Sequence, residues 1–136
     1  MQLKYNNVQH KQYLHMTESN GVNWLKVFEG NKEFYSAAYW DLLTRIWKSD
    51  GPVRKTDALK FMTAIKSPHT AGKYVESAIR QGILLESDNP EDARSKLVSL
   101  SPETKRRLDA FFDEAVSELR ESSRAIERQG PSPEAP

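Results

Sequence analysis

The sequence predicts a mainly α-helical chain carrying one small β-hairpin, and three observations predict it. Apolar residues recur at three- and four-residue spacings in separate blocks. Ser67-Pro68 and Ser101-Pro102 stand where two of those blocks begin. Between them lie two short aliphatic runs joined by turn-forming residues. With 136 residues, 38% of them hydrophobic and 29% charged, the chain has room for one domain of ordinary size and a lean core.

Residues 1–20 are polar and aperiodic, so residues 1–31 are read as a partly irregular N-terminal segment. Gly21 and Gly30 bracket a short amphipathic stretch in which Trp24, Leu25 and Phe28 share a helical face. From Lys32 to Lys48 the pattern is strongly helical through Tyr39, Leu42, Leu43, Ile46 and Trp47, and Ser49-Asp50-Gly51-Pro52 ends it. Thr56 is expected to cap the next helix, with Asp57 in its first turn, where a carboxylate suits the helix dipole; Leu59, Met62 and Ile65 face inward. Ser67 caps a third helix, with Pro68 at its first position, and Gly82 suits a left-handed cap just past its end at about Gln81. Strand-like runs at 83–87 and 95–100 flank the turn residues 88–94. Ser101-Pro102 opens a long helix to about Arg128, and residues 129–136 read as a disordered tail. Helix, short helix, helix, hairpin, long helix is the order of a winged helix-turn-helix, placed at 32–102, with a C-terminal helix at 103–128.

Composition removes several classes of function. No cysteine is present, which rules out disulfides, thiolate zinc, a cysteine nucleophile and a thiol redox switch. No apolar run approaches the roughly 20 residues of a membrane helix, and the N-terminus lacks a secretory pattern, so a soluble cytoplasmic protein without membrane contact is expected. Of the three histidines, His10 and His15 are five apart, off one helical face, and His69 stands alone, so no metal site is expected. No Ser/His/Asp set, glycine-rich phosphate loop or paired-carboxylate motif stands out; neither an enzyme nor a cofactor is expected. Charge is partitioned: residues 51–108 carry eleven basic and seven acidic side chains, and residues 109–136 carry three and seven. A basic middle suits a polyanion.

Wound as a helix, residues 68–81 place Ala71, Tyr74, Val75, Ala78 and Ile79 on one side and His69, Thr70, Lys73, Ser77 and Arg80 on the other. Cations with short polar groups suit a helix entering a major groove of double-stranded DNA, and the Ser67 end offers free backbone N–H groups to phosphate. Glu76 borders this face and would repel phosphate unless paired with Arg80. A hairpin tip is narrow enough for the minor groove, where an arginine senses groove width. Arg94 is the candidate, with Asp92 bracing the guanidinium or the wing, Lys96 meeting phosphate, and Arg54 and Lys55 completing a phosphate clamp.

Gly82, Asp88, Pro90, Asp92, Arg94, the aliphatics Leu97, Val98 and Leu100, and Ser101-Pro102 follow one another across residues 82–102 in a pattern that resembles the wing of the MarR family of bacterial transcription regulators, and the resemblance extends over roughly residues 35–125. Asn89 as an extra turn residue, Ala93 where a second arginine is common and Thr104 in place of a glycine depart from the pattern. The C-terminal helix spaces Leu108, Phe112, Ala115, Leu119, Ser122 and Ile126 as a heptad seam. A second subunit or the N-terminal segment of the same chain could cover that seam; the resemblance implies a homodimer built from the terminal segments of both subunits. It also implies a small aromatic effector between dimer region and winged domain, for which Tyr39, Trp40 and Phe111 are the candidates. The competing reading is a winged-helix module for protein interaction or assembly, which would need neither the cationic helix face nor Arg94.

Overall fold

Asn6 starts the first helix, in a stretch whose residue pattern predicted partial irregularity. In the computed structural model, which describes residues 2–130, Asn7–Val27 form a single helix, α1. The Asn6 side chain accepts from the Gln9 backbone N–H and the Gln9 side chain accepts from that of Asn6, each at 2.9 Å, a reciprocal cap. The same two side chains use their amide N–H groups elsewhere. Gln9 Nε2 donates to the Ile126 carbonyl at 2.7 Å, and Asn6 Nδ2 to that of Gln129 at 3.0 Å. Farther along, Ser19 Oγ donates to Glu118 at 2.7 Å and Arg107 to the Val27 carbonyl at 3.1 Å. Helix α1 thus lies antiparallel to the last helix, α5 (Pro102–Arg128). Packing and capping hold it, not a sharply apolar face. Gly30, at φ +81, closes the turn after α1, its N–H donating to Leu25 O at 2.8 Å.

The block expected as one helix from Lys32 begins instead with a single 3-10 turn, Lys32–Phe34, and the helix proper is α2, Ala37–Lys48, capped by Ser36. Helix α3 spans Lys55–Phe61 and starts before Thr56, which therefore is not its cap. Arg54 holds that position without a side-chain bond, because it still pairs with Leu97 as the end of a two-residue strand, β1 (Val53–Arg54). Asp57 is in the first turn of α3 as expected, and Met62, past its end, remains buried. Helix α4 runs Pro68–Arg80; Ser67 Oγ accepts from the Thr70 N–H at 3.3 Å and Gly82 takes φ +75.

The hairpin strands are β2 (Leu84–Asp88) and β3 (Lys96–Leu100), antiparallel with Glu86 opposite Val98. Strand β1 joins the other edge of β3, giving a three-stranded sheet in the order β1-β3-β2. A two-residue strand leaves no periodic trace, so the pattern could not show it.

The core gathers Leu42, Leu43, Ala58, Val75, Val98 and Leu108, all fully buried. Above it Trp24 meets Phe28, Trp40 and Phe111 edge-on, at centroid separations of 5.1, 5.0 and 5.4 Å. Two sequence expectations for α5 change here. Leu108 cannot line a subunit interface, since it lies in the core of its own chain, and Phe112 packs on Trp47 with centroids 4.4 Å apart. The N-terminal part of α5 lies over the winged domain, so the seam's first residues are consumed internally. Ser122 is buried as well, whereas Ala115 and Ile126 are half-buried and Val116 and Leu119 stay exposed. Gln129, read as tail, is instead held by Asn6 and by its side chain, which donates to Gln12 at 3.1 Å. Residues 131–136 of the expected tail lie outside the described residues. Among the described residues no helix is long and apolar enough to cross a membrane.

Candidate nucleic-acid interface

Helix α4 buries Ala71, Val75 and Ala78 and leaves His69, Thr70, Lys73 and Arg80 exposed. Among the described residues no ion pair holds Lys73 or Arg80. Ser67 is exposed with its hydroxyl engaged in the cap. Ser77 departs from the sequence reading: it is buried, donating to Glu33 and accepting from Gln81 Nε2 at 3.0 Å. It faces the 3-10 turn, because the inward arc of α4 is widened by contact with that turn and cannot be seen from α4 alone.

The wing tip is braced from within. Asp92 Oδ1 accepts from the Arg94 backbone N–H at 3.0 Å, and Asp92 O accepts from the Ser95 N–H at 3.1 Å. Asp92 is thus a brace, acting on the Arg94 backbone rather than its guanidinium. Asn89, the extra turn residue, adds a bond from Nδ2 to Ser95 Oγ at 2.9 Å and accepts from the Glu91 N–H at 3.0 Å. These bonds leave the Arg94 side chain exposed and, among the described residues, without an ion pair. Lys96 pairs with Asp88 across the strands; hydrogen bonding to Asp88 is what raises the Lys96 pKa, and the reverse contact lowers that of Asp88. Arg54 lies 3.6 Å from Asp57, both largely exposed.

Lys55 does not stand free as a clamp residue. Its ammonium bonds both Glu76 of α4 and Glu86 of β2. Burial would lower its pKa, but the hydrogen bonds and charges of the two carboxylates outweigh that and raise it. One cation at the start of α3 therefore ties α4 to the wing and offsets one of the two acidic charges beside the cationic face. Glu76 takes this partner in place of the expected Arg80.

The aromatic candidates separate. Tyr39 is 1% exposed, its hydroxyl donating to Tyr74 O at 2.9 Å, and burial is the first cause of a pKa raised to about 12. Phe111 is likewise buried beneath Trp24 and Trp40. Both are core, Tyr39 because α2 turns it toward Tyr74 of α4 and Phe111 because α5 turns it toward Trp24 and Trp40. Only Trp40 borders open space, a groove of about 370 Å³ shared with Trp24, Tyr35, Gly21 and Asn20. Gly21 admits Tyr35 there: a Cβ would stand 3.1 Å from the Tyr35 hydroxyl. Asn20 carried no signal in the sequence, and Tyr35 stood out only as one of the aromatics crowding the N-terminal half. At the far end of the molecule Tyr5, Tyr13, Met16, Leu119 and Ile126 line an apolar hollow between α1 and α5.

No family model matches the chain, and no curated protein matches it in sequence. Solved structures match it in fold. A probable transcriptional regulator from Pseudomonas aeruginosa superposes with a TM-score of 0.51 over 88% of this chain and 82% of its own, at 20% identity. A mutant MarR from E. coli, solved in complex with operator DNA, gives 0.53 over 88% and 83%, at 13% identity. Heme-free PefR gives 0.51 over 84% and 99%, at 13% identity.

Proposed function

We propose that this chain, which has the winged helix-turn-helix fold of the MarR-type transcription regulators, is a homodimeric regulator that binds double-stranded DNA sequence-specifically. The observation that carries the reading is the charge on one side of the winged domain. Lys73, Arg80 and Arg94 are exposed without ion pairs among the described residues, while Glu76 and Glu86 share Lys55, which offsets one of their two charges. In this reading α4 enters the major groove, His69, Thr70 and Lys73 meet base edges and phosphates, and the capped end at Ser67 turns backbone N–H groups to the phosphate chain. Arg94 enters the minor groove from a tip made rigid by Asp92 and Asn89. Arg54 and Lys96, each beside a single exposed acid, are auxiliary phosphate contacts.

Two copies pair through the apolar surface that α1 and α5 leave open at Tyr5, Tyr13, Val116 and Leu119. A twofold dimer puts the two recognition helices in successive major grooves, with half-sites about 10 bp apart. The test is selection of bound sequences from random duplex DNA by the wild-type chain and by Arg94→Ala. Enrichment of a pseudo-palindrome of that spacing, weakened in the variant, is expected. Weak, salt-suppressed binding with no enriched sequence would defeat the reading and favour a protein-assembly module. A small aromatic effector is proposed for the groove at Trp40, with Trp24 and Tyr35 as its walls, in keeping with their apolar, partly open surface. It predicts that aromatic acids quench tryptophan fluorescence and shift DNA affinity in the wild-type chain but not in Trp40→Ala; a panel without effect would discard it.

A further inference from the structure

We infer that Glu33 is a positioning residue for DNA recognition: it fastens α4 to the connector between α1 and α2, so that the recognition helix takes its bearing from the α1–α5 pair. The inference rests on the DNA-binding reading above.

The connector is itself rigid. The Asn31 side chain accepts from the Glu33 N–H at 3.0 Å, and the Phe34 carbonyl accepts from Trp24 Nε1 at 2.8 Å. The Phe34 ring is buried between Phe28 and Tyr39, with centroids 5.0 and 4.7 Å away. From this base the Glu33 carboxylate accepts hydrogen bonds from Ser77 Oγ and from Gln81 Nε2 at 2.7 Å, with the Tyr39 hydroxyl, whose proton goes to the nearer Tyr74 carbonyl, 3.4 Å away. Asn31 Nδ2 adds a bond to Gln81 Oε1 at 3.0 Å. Ser77 and Gln81 lie one turn apart in the C-terminal part of α4 and its cap. The hydrogen bonds from Ser77, then Gln81, hold the Glu33 carboxyl below the usual carboxylate range, so it is ionised wherever DNA binding is measured.

Besides these bonds, α4 is held at Glu76 by Lys55 and at the Tyr74 carbonyl by the Tyr39 hydroxyl, and its buried face packs through Ala71, Val75 and Ala78. Apolar packing is non-directional and tolerates rotation about the helix axis. Charge-assisted hydrogen bonds are directional, so Lys55 at Glu76 and Glu33 at the C-terminal part of α4 fix the rotation, and Glu33 is the one that refers it to the connector. In a dimer that rotation is read twice, once at each half-site. An error in it appears as tolerance of altered half-site spacing.

The experiment uses the full chain as wild type, Glu33→Ala, Ser77→Ala and the double variant. Each is titrated against the operator enriched by the wild type and against versions with one base pair added or removed between half-sites. Loss of hydrogen bonds to a charged group should weaken operator binding by about tenfold. The preference for the native spacing should fall by about fivefold or more, and the double variant should be no worse than Glu33→Ala alone. Hydrogen exchange at amides 74–82 should quicken in Glu33→Ala while that of α1 is unchanged. A residue that merely stabilised the fold would leave the spacing preference intact, and that result in folded variants overturns the assignment. Unchanged exchange at 74–82 overturns it independently of DNA. If the wild-type chain enriches no operator, the DNA-binding reading fails and the positioning role with it, while exchange still reports whether Glu33 fastens α4.

Discussion

Replacing Tyr39 by phenylalanine removes one hydroxyl from a ring that is 1% exposed and sits between Phe34 and Tyr74, at centroid distances of 4.7 and 5.2 Å. The hydroxyl donates to Tyr74 O at 2.9 Å. That carbonyl lies within α4 and keeps its helical partner, so near neutral pH the deletion should cost only about 1 kcal/mol. At high pH the sign reverses. Burial, ahead of neighbouring hydrogen bonds and charge, raises the folded pKa of Tyr39 to about 12 from the ordinary 10.0. The folded state therefore favours the protonated phenol, and this stability is whole below pH 10 and drains as pH rises from 10 toward 12. By pH 12 the loss is about 2 kcal/mol. The phenylalanine variant has no such proton to lose. Urea melts followed by far-ultraviolet circular dichroism at matched pH should find the wild type more stable by about 1 kcal/mol at pH 8. The two should cross near pH 11, and the variant should lead by about 1 kcal/mol at pH 12. Lysine deprotonation lowers both curves alike and cancels in the difference. A difference curve that is flat with pH would refute the reasoning, and it would return Tyr39 to an open ligand groove, where a phenol titrates normally.

Lys55→Met should lower the urea midpoint by the equivalent of about 1 kcal/mol, as two carboxylates lose their shared partner. The salt dependence of DNA binding should keep its slope, whereas a slope reduced by about one would show that Lys55 contacts phosphate after all. Leu119→Glu, placing a charge on the exposed strip of α5, should raise the dimer dissociation constant by tenfold or more, on the order of a buried unpaired charge; unchanged sedimentation equilibrium would remove Leu119 from the interface. Asn6→Ala loses both the cap of α1 and the bond to Gln129 O, at about 1–2 kcal/mol in chemical denaturation. A cost below a few tenths would mean that the two helix ends are not joined there.

Much of the winged domain was legible because its signals are local. Ser67-Pro68 and Gly82 bound α4, and Ser101-Pro102 opens α5, since capping and backbone freedom depend on residues a few positions apart. The hairpin showed itself through alternation and turn chemistry, and the acceptor at Asp92 is used within the turn, by the Arg94 backbone N–H two residues on. Of α1, the last part around Trp24 and Leu25 shows a helical face in the sequence and the rest lacks an apolar stripe, yet Asn6 and Gln9 carry the spacing of a reciprocal cap that marks where the helix starts.

What the tertiary structure alone decided is which polar groups face one another. A helical wheel placed Ser77 with the cations, and the connector claimed it through Glu33. Lys55 read as a phosphate contact until α4 and the wing brought two carboxylates to it. Leu108 and Phe112 continued a heptad that the winged domain absorbs before any second subunit could. Sequence by itself determined the helices α2 to α5, the hairpin, their order and the caps at Ser67 and Ser101, because those follow from interactions within a turn or two of chain. The use of each face depends on partners tens of residues away, set by packing that no local pattern encodes.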